Sequence, residues 1–305
     1  MQTLIVSLML IAASVAAPAA CPGTSGVAVQ VLGSGGPIAD DGRASSAYLV
    51  WVDGESRVMI DAGGGAFLRF GEAGADFAAL DFIGLSHFHA DHSADFPALL
   101  KSGNFSNRQR GLVVAGPAAG GPFPGLSQYL QSMLSKEHGA YGYLSGYLDG
   151  SGGLAKIEAQ EVTDADEAAV AVFESEEGDL RIDALSVPHG IVPALAFRVR
   201  VDGKTIVFSS DQNGSDTAFA AFASKASLLV MHMVVPEEAD GAAVKLHARP
   251  STIGRVAAAA DADRLLLSHF MARSLRDLDA NVDLVAGAFS GEVLLAEDLR
   301  CVAID

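Results

Sequence analysis

The densest chemical signal in this chain is the segment Ser86-His87-Phe88-His89-Ala90-Asp91-His92, in which three imidazoles and a carboxylate lie close together. It directly follows residues 80–85, an apolar run that predicts a buried strand. Neutral nitrogen donors and carboxylate oxygens at a strand end are the ligands that a divalent cation of borderline softness requires. The segment therefore predicts a metal site.

Four isolated residues repeat this placement further along the chain, each at or just beyond the end of an apolar run: His189, Asp211, His247 and His269. Any one of them alone would more often be structural than functional. In series with the histidine-rich segment, they predict that several strands deliver their end residues to one common site.

The elements that must hold these residues follow from periodicity and turn residues. Strands are predicted at residues 27–32, 47–52, 57–60, 80–85, 112–115, 180–187, 205–208, 228–235 and 265–267. Helices are predicted at residues 94–101, around residues 126–134 with Ser127 as the cap, and at residues 251–262. Residues 138–153 contain three tyrosines among glycines without a clear period, which predicts a surface loop or lid.

Length and composition predict a globular chain. Of its 305 residues, 50% are hydrophobic, which is ample for one large core. We expect a single catalytic domain over residues 21–305, with residues 138–153 as an inserted loop. The net charge of −17 disfavours nucleic acid and anionic membranes as partners, because like charges repel at long range.

Residues 1–20 carry no charge, and the apolar residues 4–17 are followed by small residues. This pattern predicts a cleaved signal peptide and a secreted or periplasmic protein, with a buried N-terminal helix as the alternative. No membrane span is predicted in the mature chain. Pro18 disfavours a lipid anchor at Cys21. Cys21 and Cys301 either form a disulfide, which export permits, or are two unrelated thiols.

The order of these motifs resembles the metallo-β-lactamase superfamily and, within it, the ribonuclease Z-like branch. The matching segments are Leu32-Gly33-Ser34-Gly35-Gly36-Pro37, Ile60-Asp61-Ala62-Gly63, His87 to His92, His189, Asp211, His247 and Leu265 to Phe270, followed by Arg273. The resemblance implies an α/β fold, the αββα sandwich. In this fold two mixed β-sheets pack face to face, helices lie outside, and the metal site lies at the strand ends.

The resemblance also implies two Zn²⁺ per chain, with Mn²⁺ or Fe²⁺ as alternatives. His87, His89 and His189 would hold one ion, Asp91, His92 and His269 the other, and Asp211 would bridge them. A metal-bridging hydroxide, formed because the pKa of water falls to about 7, would attack a phosphorus or carbonyl centre. Besides the ligands Asp91 and Asp211, His247 would take part in catalysis as the proton donor to the leaving group.

Further residues are candidates for contacts around the ligands or with substrate. Asp61 either orients a metal-bound imidazole or only forms a turn, and His232 belongs either to the core or behind the ligands. Arg273, Tyr141, Tyr143 and Tyr147 are candidates for substrate contacts.

The leading hypothesis is an exported dinuclear zinc hydrolase of small substrates, with a phosphodiester as the first choice. A second hypothesis is a lactonase or another carbonyl ester or amide hydrolase, for which Phe88, Phe96 and Phe270 would supply an apolar pocket. A third is a metal-binding or sensing protein without catalysis. No basic arm that could grip RNA is evident, and a homodimer is left open.

Overall fold

The structure, a computed structural model, describes residue 21 and residues 25–163 and 168–305. The predicted signal peptide, residues 1–20, lies outside the described residues. Within the described part, two seven-stranded mixed sheets pack face to face and helices cover their outer faces. The predicted αββα sandwich is therefore confirmed. The division into one domain with an inserted loop stays a prediction.

The strands of the described chain run as follows: β1 (Val27–Gly33), β2 (Ala47–Val52), β3 (Glu55–Ile60), β4 (Phe82–Gly84), β5 (Leu112–Pro117), β6 (Ile157–Val162), β7 (Val170–Glu174), β8 (Leu180–His189), β9 (Val192–Val201), β10 (Lys204–Phe208), β11 (Leu228–His232), β12 (Arg264–Ser268), β13 (Glu292–Leu295) and β14 (Cys301–Ile304). The first sheet has the order β14-β1-β2-β3-β4-β5-β6, and the second has the order β13-β12-β11-β10-β9-β8-β7.

The α-helices of the described chain are α1 (Ala66–Glu72), α2 (Ala90–Ser93), α3 (Phe96–Gly103), α4 (Leu126–Leu134), α5 (Gly146–Asp149), α6 (Thr217–Phe222), α7 (Ala243–Leu246), α8 (Pro250–Ala259), α9 (Ala272–Leu275) and α10 (Leu278–Ala286). The first sheet is buried on both faces. In β1, for example, Val29 and Val31 belong to the core between the sheets, whereas Ala28 and Leu32 pack in the core on the helical side.

Each sheet has an antiparallel half and a parallel half, and the parallel halves position the site. In the first sheet β3 pairs with β4 in parallel, and in the second sheet β10, β11 and β12 are parallel neighbours. Because parallel strands end on the same edge of a sheet, the residues that follow them are brought together. Between His189 and Asp211 the chain consists of β9, β10, short turns at residues 190–191 and 202–203, and residues 209–210.

Several local predictions are corrected. The strand predicted at residues 80–85 is only Phe82–Gly84, and the one at residues 228–235 ends at His232. Helix α4 is preceded by Gly125, not capped by Ser127, whose backbone N–H donates to Glu161. Residues 138–153, predicted as a surface loop or lid, contain short helical turns that include α5, and Leu144 and Tyr147 are buried against the helical layer.

Cys21 and Cys301 form a disulfide, so the first of the two alternatives for these cysteines is confirmed. Cys301 begins β14, which pairs with β1 at the edge of the first sheet. Among the described residues, the structure contains no helix of the length and apolarity that crossing a bilayer requires.

Candidate metal centre

Six strand ends deliver the polar residues of one site. Asp61 follows β3 and the segment Ser86 to His92 follows β4, both from the first sheet. In the second sheet, His189 and His232 are the last residues of β8 and β11. Asp211 and His269 lie just beyond β10 and β12. The predicted convergence, which included His247, is therefore seen in the structure, although His247 follows the helix α7 and not a strand.

The backbone at these strand ends adopts uncommon conformations. Asp61, Ser210 and His269 have φ of 59°, 56° and 54°, in the left-handed region that side chains with a Cβ rarely occupy. Left-handed residues of this kind concentrate at functional sites, where the surrounding structure compensates for the strain. The glycine-rich turn after β1 approaches closely: a Cβ on Gly36 would lie 2.9 Å from His269 Cε1. Only glycine fits there without displacing that imidazole.

One group of ligand atoms comes from His87, His89 and His189, whose ring nitrogens lie within 4.8 Å of one another. His87 Nε2 and His89 Nδ1 are 3.0 Å apart. His189 Nδ1 donates to the Leu246 carbonyl at 3.0 Å, which leaves Nε2 buried without a hydrogen-bond partner. A buried nitrogen of this kind, facing two other imidazoles, is suited to bind a cation.

A second group surrounds His92 and His269, whose Nε2 atoms are 3.0 Å apart. Asp91 Oδ2 lies 3.3 Å from His269 Nε2 and 3.7 Å from His92 Nε2. These are the three residues predicted to hold the second ion. His92 Nδ1 is 2.7 Å from Asp61, so its Nε2 is directed at His269.

Asp211 lies between the two groups. Its Oδ2 is 3.7 Å from His92 Nε2 and 3.8 Å from His189 Nε2, one histidine from each group. Its Oδ1 is 3.6 Å from His269 Nε2. This is the position that a bridging carboxylate requires.

The charges of the site favour neutral imidazoles at His87 and His89 and a positive charge at His92. Burial and the neighbouring His92 lower the pKa of His87 well below its usual value, and burial lowers that of His89. Burial would also lower the pKa of His92, but the charges of Asp61 and Asp211 raise it well above its usual value. The protein thus stabilises positive charge at His92 Nε2, where a metal ion would supply it.

The carboxylates remain ionised. Burial would raise the pKa of Asp211, but the charges of His269 and His247 and the hydrogen bond from His232 hold it well below its usual value. Burial would also raise the pKa of Asp91, but the hydrogen bond from His269 and the charge of His92 together lower it to about 2. Metal ligands must be deprotonated, and these two carboxylates meet that condition.

The donor set and its spacing fit zinc. At a Zn–N distance of 2.0–2.1 Å, two ligand atoms of a tetrahedral ion lie about 3.3 Å apart. The separations between ligand atoms in the two groups, from 3.0 Å to 3.8 Å, scatter around that value. Histidine nitrogens with aspartate oxygens are also the donors that zinc sites use. The residues present therefore fit the ions that the resemblance implies.

Asp61 and His232 lie directly behind ligands. Asp61 accepts from the Ser86 backbone N–H at 2.7 Å and from its hydroxyl at 2.9 Å, and it contacts His92 as described above. His232 Nδ1 lies 2.7 Å from Asp211 Oδ1, and its Nε2 lies 3.2 Å from the Tyr48 hydroxyl. Both ring nitrogens of His232 thus have partners, so its position is that of a residue that orients Asp211.

A cavity of about 420 Å³ opens over these groups. Its wall includes five of the predicted ligands, together with His247 and Arg273. Its apolar part is formed by Pro37, Ala90, Val234, Leu246 and Met271. His247 Nδ1 lies 3.7 Å from Asp211 Oδ2, and burial lowers the pKa of His247 to about 3. Arg273 donates from Nε to the Val234 carbonyl at 3.0 Å.

The three candidate tyrosines do not line this cavity. Tyr147 is buried and its hydroxyl donates to the Leu100 carbonyl at 2.8 Å, while Tyr143 is 64% exposed and lies under the Lys101 ammonium. Tyr141 stacks edge-on against Tyr143. The prediction that this segment contacts substrate is therefore not supported by the placement of these side chains.

The phenylalanines invoked for an acyl pocket are also elsewhere. Phe96 and Phe270 are buried in the cores, and Phe88 stacks on Tyr129. Sequence reasoning missed the apolar residues that do line the cavity, Val234, Leu246 and Met271, and it missed Tyr48. The one available signal for Tyr48 was a polar hydroxyl inside an apolar strand, which when buried needs a partner.

Comparison with known proteins identifies the family. A family model described as the beta-lactamase superfamily domain matches residues 56–270, more than half of the chain. The chain belongs to the β-lactamase superfamily. Among the curated relatives, ribonuclease Z of Haloferax volcanii is 26% identical to this chain, and the match covers 88% of this chain and 92% of the relative. Ribonuclease Z of Mycobacterium marinum is 25% identical over 91% of this chain and 99% of its own.

Solved structures agree on the fold. The metallo-beta-lactamase fold protein YhfI from Bacillus subtilis superposes with a TM-score of 0.69 at 23% identity, covering 92% of this chain and 99% of its own. Human tRNase Z, short form, gives a TM-score of 0.70 at 21% identity, covering 91% of this chain and 99% of its own. Family, relatives and the convergent histidines and aspartates together identify the chain as a metal-dependent hydrolase.

Proposed function

We propose that this superfamily member is an exported dinuclear zinc hydrolase that cleaves small phosphodiesters. The observation that supports the proposal most strongly is the position of Asp211, whose Oδ2 lies within 3.8 Å of a histidine from each of the two ligand groups. The curated relatives named ribonuclease Z support phosphodiester cleavage. The chain is thus phosphodiesterase-like, and its zinc content, export and small substrate are our proposals.

Zinc held by the two ligand groups would supply a Lewis acid and a water activated at neutral pH. The protein residues supply orientation. Asp61 holds His92 by its Nδ1, and the Leu246 carbonyl holds His189 by its Nδ1, so in each ring Nε2 is directed at the site. Fixing the orientation of an imidazole in this way raises its quality as a ligand.

His247 would deliver the proton that the leaving oxygen of the substrate needs. It is neutral near pH 7, because burial lowers its pKa to about 3, so its ring offers one lone pair and one N–H. A neutral ring can accept a proton at one nitrogen and then donate a proton to the leaving oxygen. Its Nδ1 is buried without a hydrogen-bond partner and lies beside Asp211, at the cavity wall. This position suits a histidine that relays a proton to the leaving oxygen, taking one up at one nitrogen and giving one from the other.

Arg273 would recognise the charge of the substrate. Its guanidinium is fixed through Nε to the Val234 carbonyl, and it lines the same cavity as the ligands. It is the only arginine or lysine among the described residues of that wall. A phosphodiester carries one negative charge, for which a fixed guanidinium is a good partner.

A small substrate suits this chain better than a long RNA. The net charge of −17 repels a polyanion. The turns that join β8, β9 and β10, the strands between the ligands His189 and Asp211, are short and contain no basic residues. A cavity of about 420 Å³ accommodates a small ester. The homodimer that the sequence leaves open stays a prediction.

The test is a substrate panel with zinc-loaded protein. We expect two zinc ions per chain and hydrolysis of a chromogenic phosphodiester such as bis(4-nitrophenyl) phosphate. Replacing Arg273 with Ala should raise KM for that anion by about 10- to 100-fold, because a charge-assisted hydrogen bond of about 1.5–3 kcal/mol is lost. KM for a neutral lactone should not change.

Arg264→Ala is the matched control, since Arg264 lies at the start of β12 and donates to the Ala303 carbonyl outside the cavity. It should leave both KM values as in the parent protein. Turnover of lactones but not of phosphodiesters would contradict the proposed substrate. Two bound zinc ions without turnover of any ester would favour the metal-binding hypothesis instead.

A carbonyl ester is the second candidate substrate, and one observation favours it. Val234, Leu246 and Met271 give the wall of the cavity an apolar part, and such a surface suits an acyl chain. The lactone arm of the same panel decides between the two, because a phosphodiesterase and a lactonase differ in kcat/KM for these substrates.

Export is supported by two features. Residues 1–20 have the composition of a signal peptide, and the disulfide between Cys21 and Cys301 is of a kind that persists in oxidising compartments. Expressed with its full N-terminus in a bacterial host with a periplasm, the chain should be recovered there, shortened and without free thiols. Mass spectrometry measures the length of the chain, and alkylation measures its free thiols. A full-length chain with two free thiols would argue against export.

A further inference from the structure

A chain of buried polar side chains runs from the first sheet to Asp211. Tyr48 projects from β2 into the core between the sheets, where its hydroxyl lies 2.8 Å from Ser268 Oγ and 3.2 Å from His232 Nε2. His232 Nδ1 in turn lies 2.7 Å from Asp211 Oδ1. Tyr48, Ser268 and His232 are all buried, so water does not compete for these contacts.

The contacts of His232 hold its ring from both sides. The Asp211 carboxylate can only accept, so His232 Nδ1 donates the hydrogen of the 2.7 Å contact. On the other side, His232 Nε2 lies against the Tyr48 oxygen, and the Tyr48 hydroxyl is itself fixed because it donates to Ser268 Oγ.

This arrangement assigns different tasks to the two oxygens of Asp211. Oδ1 accepts a short hydrogen bond from His232. Oδ2 faces three other histidines: it lies 3.7 Å from His92 Nε2, 3.8 Å from His189 Nε2 and 3.7 Å from His247 Nδ1. A carboxylate with one oxygen held from behind cannot rotate freely. Its other oxygen is therefore presented to the position between the two ligand groups.

We propose that Tyr48 and His232 are positioning residues that hold Asp211 for metal binding, with Tyr48 fixing the orientation of the His232 ring. The inference rests on the proposed function in that Asp211 is taken as a ligand. It also explains why a tyrosine of the first sheet reaches the strand ends of the second. The first sheet carries His87, His89 and His92, so Tyr48 aligns that half of the site with Asp211 from the other sheet.

Replacing Tyr48 with Phe tests the first link. We expect zinc affinity, measured by competition with a chromogenic chelator, to fall by about 10- to 100-fold for at least one ion, which is the usual effect of losing a partner behind a ligand. Tyr147→Phe is the matched control, because both side chains are 1% exposed and each hydroxyl makes a 2.8 Å hydrogen bond. Tyr147 lies outside the cavity, so its loss should affect thermal stability and not zinc affinity.

Two variants of His232 test the second link. In His232→Asn the side-chain amide can still donate to Asp211 but does not reach Tyr48, whereas His232→Ala loses both contacts. Zinc affinity should therefore fall in the order parent protein, His232→Asn, His232→Ala. Circular dichroism of each variant reports whether the fold is kept.

The outcomes separate the two proposals. If the parent protein binds no zinc, the proposed function fails and the positioning role fails with it. If the parent protein binds two zinc ions and Tyr48→Phe binds them equally tightly, only the positioning role is overturned. An equal loss of affinity in Tyr147→Phe would also overturn it, since general loosening of the core would then be the cause.

Discussion

Replacing Asp211 with Asn should remove at least one zinc ion per chain and lower kcat/KM for a chromogenic phosphodiester by at least about a thousandfold. The carboxylate oxygens of Asp211 lie 3.6–3.8 Å from ligand nitrogens of both groups. An amide keeps the shape of the side chain but loses the charge and the ability to bridge two cations. A thousandfold loss corresponds to about 4 kcal/mol of transition-state stabilisation, a typical share for metal-ion catalysis.

Asp183→Asn is the matched control for this experiment. Asp183 is also a buried aspartate of the second sheet, but it pairs with Arg181, Arg198 and Arg200 and belongs to none of the metal-binding groups. Its replacement should lower the free energy of unfolding and leave zinc stoichiometry at the parent value. Full zinc content and full turnover in the Asp211→Asn protein would refute the bridging role.

Replacing His247 with Ala should slow hydrolysis in a way that depends on the leaving group. A general acid contributes about 10²- to 10⁴-fold when the departing oxygen needs a proton. We therefore expect a loss of that size for an alkyl phosphodiester and a much smaller one for a 4-nitrophenyl ester, whose phenolate leaves without protonation. The measurement is kcat for both substrates at saturating zinc.

The same variant separates a proton donor from a metal ligand. His247 Nδ1 lies near Asp211 and His189, so the geometry also permits it to bind a cation. Zinc content equal to that of the parent protein, with a loss confined to the poor leaving group, supports the proton donor. An equal loss for both substrates, accompanied by missing zinc, would mean that His247 is a ligand. His138→Ala, which removes an exposed histidine outside the cavity, should change neither value.

Much of the fold could be predicted because its signals are local. Strands β1, β2, β5 and β12 have apolar runs bounded by glycine or polar residues, and each lies within a few residues of its predicted position. Strand β6 was missed because it is an edge strand whose four central side chains are exposed. Strand β7, at the edge of the other sheet, was missed although Val170 to Phe173 form a short apolar run. Their position in a sheet depends on pairing with β5 and β8, which no local pattern reports.

The residues of the site likewise divide into those that the sequence could predict and those that it could not. Residue type and order along the chain pointed to His87, His89, His92, His189, Asp211 and His269, because metal ligands follow buried strands and keep a recognisable spacing. The apolar side of the cavity and the placement of the tyrosines could not be read in this way. Val234 and Met271 resemble any core residue in sequence, and Tyr147 differs from Tyr143 only in how it packs.

By itself, the sequence determined the superfamily, the metal chemistry and the residues able to hold the ions, since donor type and strand-end position are properties of short segments. Only the tertiary structure decided which atoms meet. Tyr48 and His232 are 184 residues apart and belong to different sheets. Their contact, and the orientation of Asp211 that depends on it, exist because two separately hydrogen-bonded sheets pack face to face, and no segment of sequence encodes that packing alone.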